Sequence, residues 1–89
     1  MIGAFIKNKA GMLCFVMPPQ EERPVIAGFH YAPGGNVVTI ALEDGRQETV
    51  TTDIAPELRG AFGREATVLV VHVDAKSRFE REYIAPLTR

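Results

Sequence analysis

The sequence predicts an all-β fold: a small antiparallel barrel or a compact β-sandwich of six to seven short strands. Three observations lead there. Seven short apolar runs fill almost all of the 89-residue chain, and Gly, Pro, Asn or Asp closes each of them. Val38, Ile40 and Leu42 alternate with Val37, Thr39 and Ala41, which is the period of a half-buried strand. The only non-strand insert of any size is 53–64.

The elements follow in order. Ile2–Ile6 is the first run, and the Lys7-Asn8-Lys9-Ala10-Gly11 turn follows, with Asn8 and Gly11 suited to left-handed backbone angles. Gly11–Met17 is apolar on both faces, as expected of a central strand or one covered by a partner. Pro18-Pro19 ends it, because neither residue can donate to a ladder. Val25–Tyr31 is the third run and turns back through Ala32–Asn36. Val37–Glu43 is the fourth. A three-residue loop, Glu43-Asp44-Gly45, pairs Leu42 with Arg46 and Val38 with Val50, keeping Val50 on the face of Ile40. Arg46–Thr52 is then a polar, edge-like strand with Gln47, Thr49 and Thr51 toward water.

Pro56 suits the start and Gly60 the end of a single helical turn, expected as 3-10 near 56–60, with Leu58 and Phe62 as anchors. Glu65–Asp74 reads as the longest strand, with valine or leucine at every position from Val68 to Val73 except His72. Ala75–Arg78 turns, Phe79–Ala85 returns, and Pro86 is expected to stop it, leaving Leu87-Thr88-Arg89 as a tail. The order strand, strand, strand, helical turn, strand over residues 25–74 resembles the layout of SH3-like barrels. The resemblance is one of layout and carries no function. The chain reads as one domain, 1–89.

Composition bounds the function. The charge is nearly balanced, with 10 Lys+Arg, 11 Asp+Glu and a net charge of −1. Residues 20–58 are acidic, with Arg23 and Arg46 against seven acids, and the two ends are mildly basic. Nucleic-acid binding ordinarily requires a basic footprint, so a pI of 6.1 argues against it. The single cysteine, Cys14, allows no intramolecular disulfide. The first residues do not read as a signal peptide, since the charges follow a short apolar stretch. No run approaches a membrane helix. A cytoplasmic location is the expectation.

No motif carries chemistry. Cys14, His30 and His72 are the only soft or imidazole ligands and lie far apart in sequence, without the close pairs of a zinc site. Cys14 with a histidine base would supply the parts of a thiol nucleophile. Between Leu13 and Phe15, however, it reads as a small buried hydrophobe. His30 is placed with Ile26 and Gly28, and His72 alternates with Val70 and Val68. If both lay at a subunit contact, protonation near pH 6 would loosen it. Gly34-Gly35 lacks the residues of a phosphate loop and reads as a turn. Neither a metal nor a cofactor is expected.

The resulting expectation is a non-catalytic binding or assembly module, not an enzyme, presenting a sheet face or edge to a protein, including a second copy of itself. The motivating feature is apolar residues on both faces of Gly11–Met17 and Val68–Val73, more than one thin core needs. The interaction residues expected are Phe15, Phe29, His30, Tyr31, His72, Arg78, Arg81 and Tyr83. Phe15, Phe29 and Tyr31 also define an alternative, an apolar small-ligand or enzyme pocket with Cys14 or His30 as its polar group. A third reading is nucleic-acid binding by the C-terminal hairpin, where Lys76, Arg78 and Arg81 lie near Phe79 and Tyr83. There Glu80 and Glu82 would repel phosphates, and Arg81 and Glu82 are more simply cross-strand partners of Glu65–Asp74.

Overall fold

A computed structural model describes residues 2–32, 36–52, 66–74 and 80–88. Seven strands form one sheet: β1 (Ala4–Lys7), β2 (Leu13–Met17), β3 (Ile26–Tyr31), β4 (Val37–Leu42), β5 (Gln47–Thr51), β6 (Ala66–Val73) and β7 (Glu80–Thr88). Their spatial order is β1-β2-β6-β7-β3-β4-β5. Hairpins join β1 to β2, β3 to β4, β4 to β5 and β6 to β7 as antiparallel neighbours. The remaining junctions, β2–β6 and β3–β7, are parallel. The sheet curls on itself into a half-barrel. Phe29 of β3 touches Phe5 of β1 and Phe15 of β2, at ring-centroid distances of 5.2 and 5.4 Å. Since β3 lies three places from β2 in the sheet, only curling brings these rings together. One curled sheet is a barrel-like solution, not a two-sheet sandwich.

Alternation dictates what fills the interior. Phe5, Phe15, Met17, Phe29, Tyr31, Val38, Ile40, Val68, Val70, Ala85 and Leu87 all point inward and are buried. At the β1–β2 turn, Gly11 takes φ +83°. Asn8 there caps the Met12 amide through Oδ1 at 2.9 Å. The β4–β5 turn has the expected register, with Val38 opposite Val50 and Thr39 opposite Thr49. Gly45 is left-handed at φ +93°, and the Leu42 amide donates to Arg46 O. β5 is an edge strand, polar except for buried Val50.

Two expectations need correction. β7 does not stop at Pro86 but runs to Thr88, nine residues beside the eight of β6 among the described residues. Proline is tolerated because the β3–β7 ladder begins only at Leu87, opposite Phe29, so Pro86 sits before the point where β3 pairs. Its ring lies against Gly28, where an added Cβ would be 3.5 Å away. His30 does not share a face with Ile26. A register shift between Ile26 and Gly28 turns Ile26 and Phe29 inward together and leaves His30 exposed. The helical turn near 56–60, its anchors Leu58 and Phe62, and the Gly34-Gly35 turn lie outside the described residues.

Candidate functional site

The parallel junction between β2 and β6 creates the most distinctive surface. In register, Ile6 of β1 lies beside Cys14 of β2, Cys14 beside Leu69 of β6, and Leu69 beside Ile84 of β7. The next row runs Ala4, Val16, Val71 and Glu82. These positions alternate with the core residues, so they occupy the sheet's outer face. Two adjacent rows across four strands therefore carry a single charged side chain, Glu82. The relief is uneven. Ile6 and Ile84 protrude, 45% and 62% exposed, while Cys14 and Val71 lie low at 3% and 9%. On β3, β4 and β5 the outer face is different: His30 pairs with Thr39, and Thr39 with Thr49. One half of the outer surface is apolar and the other is rich in hydroxyls.

The residues singled out from sequence are spread over both sides of the sheet. Phe15, Phe29 and Tyr31 are fully buried core groups. Cys14 lies on the face of β2 opposite Phe15, and His30 on the face of β3 opposite Phe29, so neither joins these aromatics in a common hollow. Two hollows lie elsewhere, beside the β4–β5 turn and the segment before β3. One, of about 390 Å³, is lined by residues including Arg23, Val25, Leu42, Asp44 and Arg46. The other, of about 230 Å³, is lined by residues including Ile2, Gln20, Leu42 and Glu48. Both arginines there are paired: Arg46 Nε donates to Asp44 at 2.6 Å, and Arg23 to Asp74 at 2.8 Å. The Arg46 backbone amide and guanidinium hold the Asp44 carboxyl below its ordinary value.

Tyr83 and His72 form a small polar lock inside the barrel. Tyr83 Oη accepts a 2.6 Å hydrogen bond from the Ile26 amide, tying β7 to β3 where the two strands are not yet paired. Burial pushes the Tyr83 hydroxyl pKa up. His72 stacks on the Tyr83 ring with centroids 5.7 Å apart. It is 3% exposed, and its Nε2 has no hydrogen-bond partner among the described residues. Burial, with Arg81 and Arg23 nearby, lowers its pKa below the ordinary 6.5. His72 does lie with Val68 and Val70, but His30 is on the opposite face, so the two histidines share no contact surface. Arg81 pairs with His72, and Glu82 with Val71, across β6 and β7. Arg78, Lys76 and Phe79 lie outside the described residues.

Burial also raises the Cys14 thiol above its ordinary value, and Sγ lies 3.6 Å from Met12 O. A thiol so placed is a poor nucleophile. Among the described residues no group of three or more His, Cys, Asp and Glu could hold a metal ion, and no helix is long and apolar enough to cross a membrane. Ile6 and Ile84 were not among the residues expected to form a contact, while Leu69 and Val71 belong to the run Val68–Val73 whose two apolar faces motivated that expectation. Their only signal in the sequence is apolar character at positions alternating with the core, and without the β2–β6 pairing nothing joins them into one surface. Comparison with known protein families, curated proteins and solved structures gives no match.

Proposed function

We propose that this domain is a non-catalytic protein-contact module that works through the outer apolar face of β1, β2, β6 and β7. One observation carries the reading: Ile6, Cys14, Leu69 and Ile84 form a continuous uncharged row across four strands, with protruding isoleucines at both ends. Ile6 and Ile84 stand open to solvent on it while Cys14 between them is closed off, and exposed large aliphatic groups gathered on one face of a small domain favour a contact role. The alternatives draw less support. The aromatic trio proposed for a pocket is consumed by the core. Tyr83, needed for base stacking, is engaged by His72 and by the Ile26 amide.

The test is binding of an apolar fluorescent dye at high dilution. The wild-type chain is expected to bind dye, and I6K/I84K to lose it with unchanged thermal unfolding, because both residues are exposed. Dye binding that is equal in the two proteins contradicts the proposal.

A further inference from the structure

We infer that the join between β3 and β7 is an acid-released latch: a proton on His72 drives the imidazole from its buried place, and Tyr83, on which it stacks, lets go of the Ile26 amide. In the strand order, β3–β7 is the junction that ties β3, β4 and β5 to the other four strands. Its ladder among the described residues covers Phe29–Leu87 and His30–Thr88. At the start of β3 the 2.6 Å bond from the Ile26 amide to Tyr83 Oη stands in for it. The latch lies on the inner side of the sheet and stands whatever binds the outer face.

His72 is where the proton enters. Its ring stacks on Tyr83 with centroids 5.7 Å apart, is 3% exposed, and has Nε2 unpaired among the described residues. A neutral nitrogen in that place forgoes one hydrogen bond, whereas a charged N–H left there costs far more. The surroundings do not favour the cation. From β7, Arg81 stands directly across and Tyr83 has its hydroxyl committed to Ile26. From the segment before β3 comes Arg23, bound to Asp74 at 2.8 Å. On β2 the neighbour in register is Met17. The imidazolium therefore gains its partners by moving to water. The release stops short of unfolding, because Phe29 further along β3 stays packed on Phe5 and Phe15.

Amide hydrogen exchange of the full chain, followed by NMR at pH 7.5 and 5 in low urea, tests this. After correction for the intrinsic chemistry of exchange, the opening constant of the Ile26 amide should rise on acidification by as much as about thirtyfold. That is the ceiling for a group of ordinary pKa 6.5 that the closed form keeps neutral. Its dependence on urea should be shallower than that of the Val70 amide in β6, which is expected to open only with the whole fold. H72F keeps a ring against Tyr83 and cannot take the proton, so it should abolish the rise. H30Q, at the exposed histidine, should keep it. A wild-type opening constant equal at the two pH values overturns the inference, whether or not H72F folds. So does a rise that survives H72F, or an Ile26 amide as steep in urea as Val70, since the event is then unfolding of the whole chain.

Discussion

At the scale of single residues, His72 and Gly3 show how little freedom the interior leaves. The groups facing His72 are Arg81 from β7 and Arg23 from the preceding loop, the latter paired with Asp74. Tyr83 covers the ring. All of this favours the neutral imidazole, so the folded pKa lies below the unfolded 6.5. The unfolded chain therefore takes up the proton first as the solution is acidified. Stability is fully present above about pH 6.5 and declines as the pH falls through and below it. Urea midpoints measured between pH 7.5 and 5 should drop, and H72F should flatten the profile. A midpoint that rises on acidification contradicts the assignment.

Gly3 is constrained by space. An added Cβ would lie 2.5 Å from the Val16 carbonyl oxygen and 2.8 Å from the Phe15 ring. The carbonyl belongs to a paired strand and cannot move aside cheaply. G3A should destabilise by about 1–3 kcal/mol in chemical denaturation, the usual range for overpacking. Cys14 is constrained by solvent. Its raised pKa and burial predict alkylation much slower than that of a free thiol at pH 7.5, measured by maleimide or iodoacetamide kinetics.

At the scale of elements, the weak joint is the parallel β3–β7 pair, whose register among the described residues covers Phe29–Leu87 and His30–Thr88. Tyr83 substitutes for the missing ladder by receiving the Ile26 amide. Y83F keeps the ring and removes the acceptor, leaving a buried donor unpaired. A loss of about 1–2 kcal/mol is expected, together with faster hydrogen exchange at the Ile26 amide. Local signals marked some elements well in the sequence. The β4–β5 hairpin was legible to its register because Gly45 fixes the turn and Val50 must stay with Ile40. The end of β7 was not. Proline ordinarily interrupts a ladder, and only the pairing with β3, remote in sequence, shows that Pro86 faces β6 across from Thr67 and lies before the first β3 partner, Leu87. The turning of His30 outward was hidden for a similar reason. A bulge at Ile26–Gly28 depends on the partner strand, not on the local alternation.

At the scale of the whole molecule, strand order converts scattered apolar residues into one surface. The sequence makes it visible that β2 and β6 are apolar on both faces. It does not reveal that they are parallel neighbours, nor that β1 and β7 flank them and contribute Ile6 and Ile84. The aromatic residues that looked most suited to recognition, Phe15, Phe29 and Tyr31, are what the curled sheet needs to fill its interior. Smaller aliphatic groups are left on the outside.

The central claim is this division between an aromatic interior and an exposed aliphatic face. Methyl NMR of a dilute sample with a soluble paramagnetic probe measures it most directly. The Ile6 and Ile84 methyl signals should broaden strongly, while those of Val38, Ile40, Val68 and Val70 stay sharp. Protected Ile84 methyls in the dilute sample, or broadened Val68 and Val70, would contradict the account.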